Sequence, residues 1–450
     1  MKILVLNCGS SSAKYMVYDW DKKEIMCKGI VERVTIGGSF CVHEVTGRDP
    51  FKMEKECPTH KEAVQLIMEL LVSPEHGVLK SVNEISAVGH RVLHGGAGVT
   101  QSVKVTDEVI QAFKDAIPLG PLHNPGNILG IEAAREAMPD VPQMAMIDTA
   151  WGMTMEAPQY VYAVPYEWYE KYHIRRYGFH GTSHLYLAKR CAVLLGKDPF
   201  ETNLITLHIG NGASTSAVKN GVCFDTSMGV TPQEGLVMGT RAGDHDATLN
   251  FYIMKKEGYT PDDMNNIINK KSGLLGITGK HADLRDVMEA MEQGDERSKL
   301  AFEMECYRLK KYIGSYFAAL EGKVDAIVWS AGAGEMSPPL RAHVMDGLEF
   351  LGIKYDPEKN KVARTRNQES DISAPDSRVK IFVVPTDEEE VIVEDVVALL
   401  EDRYDVHTNF TYAFQDPAYE NRMRNEELAK QLQKKPEIAK AKAVIPGQPN

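Results

Sequence analysis

Four short apolar runs punctuate the chain, and each stops abruptly at a polar or glycine-rich turn. Ile3-Leu4-Val5-Leu6 runs into Asn7-Cys8-Gly9-Ser10-Ser11-Ser12-Ala13-Lys14, after which Tyr15, Val17 and Tyr18 resume the apolar pattern. Residues 204–209 (Leu-Ile-Thr-Leu-His-Ile) run into Gly210-Asn211-Gly212-Ala213-Ser214-Thr215-Ser216 and then Ala217-Val218. Residues 326–330 lead to Ala331-Gly332-Ala333-Gly334-Glu335, and residues 381–384 to Pro385-Thr386-Asp387-Glu388. Continuous apolar runs of this length predict buried strands. The likeness of the first two predicts a module of about 200 residues that occurs twice.

Between these runs the apolar spacing turns helical, near 61–71, 126–137, 284–293 and 298–320. Pro338-Pro339 predicts a helix start running to Leu348, and a further helix follows Glu388 to about Leu400. Strands mixed with helices throughout predict an α/β protein. From about Val406 the pattern fades. Glu426 to Lys435 predicts a charged surface helix, and the remainder a loose tail. A length of 450 residues predicts two to three domains.

Composition narrows the function classes. Hydrophobic residues make up 43% and charged residues 25%, which excludes collagen-like, disordered and small disulfide-scaffold classes. A formal net charge of −12 argues against a nucleic-acid partner but leaves room for a local basic pocket. No apolar stretch is long enough for a membrane span, and the first residues are too short an apolar run for a signal-peptide core. The seven cysteines are odd in number and contain no CxxC pair, which disfavours a disulfide framework or a four-cysteine zinc site. A reducing cytoplasm is the expectation.

Four glycine- or serine-rich turns, at 7–14, 210–216, 239–243 and 331–335, are candidates for phosphate binding. Glycine lets backbone N–H groups converge on an anion. No GxxxxGK[ST] loop occurs, and Gly332-Ala-Gly334 is not completed to GxGxxG, so P-loop and Rossmann assignments are disfavoured. Arg91 lies in Gly89-His90-Arg91-Val92-Leu93-His94-Gly95-Gly96, and Arg241 in Gly239-Thr240-Arg241-Ala242-Gly243-Asp244. Each is either a two-pronged clamp for a carboxylate or phosphate, or a surface salt-bridge residue. His123, His180, His184 and His208 stand near Gly, Asn, Pro or Ser, as anion donors or as hydrogen-bonded structural residues. Asp148 and Glu388 follow apolar strands, where a carboxylate suits Mg²⁺ or caps a helix.

Taken in order, NCGSSSAK (7–14), GHRVLHGG (89–96), PLHNP (121–125), YGFHGTSH (177–184), HIGNGAS (208–214), DTSMG (225–229), TPQEGL (231–236), MGTRAGD (238–244) and PTDEE (385–389) resemble the acetate kinase family. That family is a branch of the acetate and sugar kinase, heat-shock ATPase and actin superfamily. The resemblance implies an actin-like ATPase fold of two domains, built from duplicated ribonuclease H-like units around a central cleft. It implies an N-terminal domain of 1–150 completed by roughly 386–404, a nucleotide-binding and dimerisation domain of 151–385, and an atypical extension of 405–450. The implied activity is reversible, Mg²⁺-dependent phosphoryl transfer between ATP and acetate, giving acetyl phosphate and ADP, in a homodimer.

By the same resemblance, Asn7, Asp148 and Glu388 serve the metal, and Arg91, Asp148, His180 and Arg241 are catalytic. Arg91 and Arg241 hold the carboxylate and the transferring phosphoryl group, and His180 stabilises its equatorial oxygens. Ser10, Ser12 and Lys14 line the first phosphate turn. His208, Asn211 and Gly212 face the nucleotide phosphates, and Asp283, Arg285 and Gly332 border the adenosine. Leu93, Leu122, Phe179 and Pro232 line an apolar pocket for the acid's methyl group. Leu93 replaces a smaller Val, which is either a bulkier wall that favours acetate over propionate or a repacking of the core.

The chain departs from the family pattern at Trp151-Gly152-Met153, at Met336 and beyond residue 405. The first two leave open a carboxylate kinase that uses pyrophosphate or propionate. A third reading, a non-catalytic nucleotide-binding regulator, is opposed by retention of Arg91, Asp148, His180, Arg241 and Glu388.

Overall fold

The computed structural model describes residues 1–121 and 123–448. The chain forms two compact units, one of Met1–Ala150 with Asp387–Ala413, the other of Trp151–Thr386 with Phe414–Asn450.

The first unit is built on an eight-stranded sheet. Its strands are β1 (Lys2–Cys8), β2 (Ser12–Asp19), β3 (Glu24–Glu32), β4 (Phe40–Val45), β5 (Phe51–Glu54), β6 (Ile85–Val92), β7 (Val103–Lys104) and β8 (Gln143–Ile147). Their order is β5-β4-β3-β2-β1-β6-β8-β7. β1 runs antiparallel to β2 and parallel to β6, with Leu6 opposite His90, and β6 runs parallel to β8. The apolar run of β1 is continuous because both faces are covered. Leu4 and Leu6 pack with Tyr15, Val17 and the His60–Leu71 helix. Ile3 and Val5 pack with Met16, Tyr18 and Ile392, Val393, Val396 and Val397 of the Glu388–Leu400 helix. Each such side chain contributes about 1.5–3 kcal/mol on burial. Gly89 admits the closest approach of that helix, since a Cβ there would stand 2.6 Å from Val396 and 2.9 Å from Met146.

The second unit carries a six-stranded sheet of β9 (Leu204–Ile209), β10 (Ala213–Lys219), β11 (Val222–Thr226), β12 (Ala326–Ser330), β13 (Ser370–Asp371) and β14 (Lys380–Val383). Its order is β11-β10-β9-β12-β14-β13. β9 pairs antiparallel with β10 and parallel with β12, which pairs parallel with β14. This repeats the β3-β2-β1-β6-β8 arrangement strand for strand. The chain therefore has the duplicated α/β architecture of the actin-like ATPase fold, and the glycine- or serine-rich turns at 7–14 and 210–216 follow the first strand of each repeat.

Two expectations are corrected, and one helix is added. The 331–335 segment is not an open turn but the start of a short helix, Ala331–Met336, entered through a left-handed Ala331 (φ 64°). The Gly181–Leu195 helix, absent from the apolar pattern, is buried all round, and its polar Ser183, His184, Lys189 and Arg190 interrupt the periodicity because each is enclosed in the interior. The segment beyond 405 is not a loose tail. Residues up to Ala413 join the first unit, where Tyr412 donates to Asp395 (2.8 Å) and the Ala413 N–H to Glu394 (2.8 Å). Residues from Phe414 pack on the second. Phe414 is fully buried, the helix spans Arg422–Lys434, Ile438 and Ala441 are buried, and the Ala443 N–H donates to the Glu369 carbonyl (2.9 Å). The anchoring apolar residues are spaced singly among polar ones, so no periodicity reveals them.

Candidate active site

In the first unit, Asn7, Arg91 and Asp148 lie at the carboxyl ends of the adjacent parallel strands β1, β6 and β8, where such folds bind ligands. Arg91 donates from Nε and Nη2 to the two oxygens of Asp148, at 2.9 and 2.7 Å. Asp148 is buried at 1% exposure, while Arg91 keeps 26%. The Asp148 charge raises the Arg91 pKa, burial opposes it, and the charges of Glu388 and Glu389 add to the rise. Glu388 opens the Glu388–Leu400 helix, capped by Asp387 through the Glu390 N–H. Arg91, Asp148 and Glu388 thus form one electrostatic group.

Lys14 of β2 is the register partner of Asn7, which puts their side chains on one face of the sheet. The turn between them is closed by the Gly9 N–H on the Ser12 carbonyl (2.8 Å), and Ser10 is exposed there. Asn127 donates to the Cys8 carbonyl (2.6 Å) and accepts from the Leu93 N–H (3.0 Å), tying the 7–14 turn to the Arg91 strand end. Asn124 bridges the His94 backbone in both directions. These two buttresses belong to the PLHNP region, but the motif alone does not show what they hold. Leu93 is half-buried. Leu122 lies outside the described residues.

In the second unit, His180 adopts the left-handed conformation (φ 57°) immediately before the Gly181–Leu195 helix. Such a conformation costs a non-glycine residue of order 1 kcal/mol or more and concentrates at functional sites. Its Nδ1 lies 2.8 Å from the Ser214 Oγ, and the same hydroxyl lies 2.8 Å from His184 Nε2. His184 Nδ1 reaches Thr206 Oγ1 at 2.8 Å. Burial, reinforced by His208, lowers the His184 pKa to about 3, so this ring is neutral. His208 stacks on His180 with ring centroids 4.1 Å apart, and its Nδ1 meets the Ser183 Oγ at 2.8 Å. Ser214 and Ser183 therefore brace the three histidines, a contact that sequence alone does not show, presenting them only as turn and helix residues.

The rim of this site is the Gly210–Gly212 turn. A Cβ on Gly212 would stand 3.3 Å from Arg241 Nη1 and 3.6 Å from His180 Nε2, so both cationic-type donors border the glycine. The Gly239 N–H donates to the Asn211 carbonyl (2.9 Å), docking the Arg241 loop on the turn. Gly239 has no room for a side chain, because a Cβ would lie 1.7 Å from Asn211 Oδ1. Among the described residues no carboxylate pairs with Arg241. Its nearest acceptors are the Pro232 carbonyl at 3.5 Å and Met238 Sδ at 3.9 Å, and burial lowers its pKa. Phe179 is buried at 2% exposure and Pro232 is half-buried.

Among the residues expected to border the adenosine, Asp283 caps the Leu284–Glu292 helix and takes both prongs of Arg285 at 2.9 and 2.7 Å. Arg285 is 89% exposed, so this pair adds little stability. Ser337 donates to Met288 Sδ (3.5 Å), placing the Ala331–Met336 helix with Gly332 beside that helix. Trp151 donates from its indole to Ser216 (3.1 Å) and is buried, which is how the departure at 151 is accommodated.

Among the described residues no three or more His, Cys, Asp or Glu converge to hold a metal ion by themselves. The donor set of Asn7, Asp148 and Glu388 fits magnesium as that ion is held beside phosphates, with one or two carboxylates and the rest supplied by substrate and water. Each Asp148 oxygen that accepts from Arg91 retains a lone pair for this purpose.

The pattern of the acetokinase family matches residues 2–394. An acetate kinase of Geobacter metallireducens is 57% identical over 414 residues, covering 92% of this chain and 98% of the relative. An acetate kinase of Treponema pallidum is 55% identical over 439 residues, covering 98% of each chain. The crystal structure of Porphyromonas gingivalis acetate kinase superposes with a TM-score of 0.84 at 44% identity, covering 89% of this chain and 99% of that one. The chain belongs to the acetokinase family.

Proposed function

We propose that the chain catalyses Mg²⁺-dependent, reversible phosphoryl transfer between ATP and acetate, giving acetyl phosphate and ADP. The observation that carries this reading is Arg241, a half-buried guanidinium met by no carboxylate of the described chain, beside His180 and the Gly210–Gly212 turn. A cation held without a counter-ion is matched to an anionic group that arrives from outside.

The acceptor is a carboxylate, ionised at neutral pH, so no general base is needed. The demands are alignment and cationic charge, because two anions must meet. In this reading Arg241 and Arg91 hold the carboxylate and the transferring phosphoryl group. Asp148 fixes the plane of the Arg91 fork and leaves its remaining N–H groups to the ligand. As a neutral ring His180 would donate from Nε2 to an equatorial phosphoryl oxygen and accept the Ser214 proton at Nδ1. The neutral His184 then donates its own Nε2–H to the Ser214 oxygen. Magnesium, held by Asp148 and Glu388 with Asn7, would neutralise charge on the phosphates.

A homodimer is part of the proposal. It is supported by Leu300, Met304 and Tyr307, exposed at i, i+4 and i+7 on the Glu296–Ala319 helix, and by exposed Phe251 and Tyr252. A reducing compartment is supported by seven free, buried thiols. No helix among the described residues is long and apolar enough to cross a membrane.

The test is to incubate the protein with Mg²⁺, hydroxylamine and either acetate or propionate, with ATP or pyrophosphate as donor. Hydroxylamine traps the acyl phosphate as a coloured hydroxamate. Colour with ATP and acetate supports the proposal. Colour with pyrophosphate alone replaces the donor, and colour with propionate alone replaces the acid.

A further inference from the structure

We propose that Arg424, in the C-terminal extension, is a positioning residue for phosphoryl transfer, holding the peptides of Pro385 and Thr386 and thereby the place of the Ala331–Met336 turn. The inference rests on the carboxylate-kinase reading and deepens it, because it gives work to a segment beyond the matched family pattern, which ends at residue 394.

Arg424 stands in the first turn of the Arg422–Lys434 helix, where Asn421 caps its N–H (3.0 Å) and fixes the start of the helix. Its Nη1 donates to the Pro385 carbonyl at 2.9 Å and its Nη2 to the Thr386 carbonyl at 2.8 Å. A planar fork on two successive carbonyls fixes both peptide planes, which a single ammonium cannot do. The carbonyls belong to the exit of β14, and the next residue, Asp387, caps the helix that Glu388 opens.

The same strand exit is held from its other side as well. Ser330 donates to the Val384 carbonyl, two residues before Thr386 (2.6 Å), and the same hydroxyl lies 3.4 Å from the Glu335 carboxylate. Glu335 is buried at 4% exposure. Burial raises its pKa, and the charges of Arg366 and Arg424 oppose that rise. Arg366 Nε lies 3.9 Å from it, and a Cβ on Gly332 would lie 3.6 Å from Arg366 Nη2. One network thus joins the extension, the strand exit that leads to Glu388, and the turn that carries Gly332. Arg422, two residues earlier on the same helix, is 70% exposed and pairs with Glu426 one turn on (2.9 Å), which makes it the matched control.

The experiment compares the full chain with Arg424→Ala, Arg424→Lys and Arg422→Ala. It reads melting temperature, amide exchange at residues 386–390 without substrates, kcat, and KM for Mg·ATP and for acetate separately. Arg424→Ala is expected to speed exchange at 386–390 and to raise the KM for Mg·ATP roughly fivefold or more, as loss of charge-assisted hydrogen bonds implies. The KM for acetate stays within about twofold, since no acetate-side group is touched. Arg424→Lys falls between, and Arg422→Ala matches the unaltered chain. Unchanged exchange and unchanged Mg·ATP parameters in folded Arg424→Ala overturn the proposal. So does a uniform loss in all kinetic parameters that merely follows a lowered melting temperature. If Arg424→Ala does not fold, Arg424→Lys with wild-type exchange and kinetics overturns it. An unaltered chain that makes no acyl phosphate strikes the carboxylate-kinase reading instead, and the exchange comparison still decides whether Arg424 braces the turn.

Discussion

Arg91 and Asp148 face each other from neighbouring parallel strand ends, joined by two hydrogen bonds of 2.9 and 2.7 Å. The carboxylate is buried and the guanidinium is partly exposed, so the pair presents an aimed cation rather than a closed salt bridge. Asp148→Asn keeps the shape but removes the charge and sets an amide N–H₂ against the fork. The expected result is a loss of about 10²–10³-fold in kcat with the fold retained. Because the two act as a unit, Arg91→Ala combined with Asp148→Ala is expected to lose little more than Arg91→Ala alone. Steady-state rates beside circular dichroism check both statements, and fully additive losses would contradict the pairing.

Ser214 serves two histidines with one hydroxyl. Ser214→Ala leaves His180 Nδ1 and the buried His184 Nε2 without their shared partner. An unsatisfied buried polar group costs about 1–3 kcal/mol, so a tenfold to hundredfold fall in kcat is expected, with KM for acetate little changed. His184, held near a pKa of 3, adds no step to the pH–rate profile above about pH 5. A Ser214→Ala enzyme with an unchanged kcat would remove the relay from the mechanism.

Gly89 governs how closely the Glu388 helix lies on the first sheet. Gly89→Ala forces a methyl against Val396, Met146 and Ile392, at 2.6, 2.9 and 3.2 Å. Overpacking of this kind costs about 1–3 kcal/mol. Turnover should fall along with stability, since the displaced helix begins with Glu388. Chemical denaturation and rate measurement on the same samples test the coupling, and a destabilised variant with undiminished turnover would break it.

Glu305 gives a stability prediction away from the site. It is fully buried in the Glu296–Ala319 helix, its Oε2 has no partner, and burial raises its pKa to about 8. The folded state keeps the proton over a range in which the unfolded state has released it. Stability therefore falls as pH rises from about 4.5 to 8, by on the order of 4 kcal/mol. Glu305→Gln is expected to match the unaltered protein near pH 5 and to exceed it at pH 8. Melting temperatures at the two pH values decide it, and a gap that does not grow with pH would contradict the assignment.

How much of this was legible in the sequence depends on what each residue packs against. β1, β9 and β12 are buried on both faces, so their apolar runs stand out. The duplicated turns were visible because glycine and serine cluster after such runs. The short edge strands β5, β7 and β13 carry two to four residues, too few to show a period. Arg91 and Arg241 could be picked out by their glycine neighbours, but the sequence does not show that one has a buried carboxylate partner and the other none. Ser214 as a shared hydroxyl, and Arg424 as a clamp on residues 385–386, depend on contacts across 30 or more positions of chain, which no local pattern encodes.

The central claim is that Arg241 supplies the charge that lets phosphoryl pass between ATP and acetate, and the most direct measurement is hydroxamate formation by Arg241→Ala beside the unaltered chain. By analogy with other arginines aimed at a transferring phosphoryl group, the account predicts robust colour from the unaltered chain and a loss of roughly 10³-fold or more in the variant, with circular dichroism and melting temperature unchanged. Near-normal turnover by folded Arg241→Ala would contradict it.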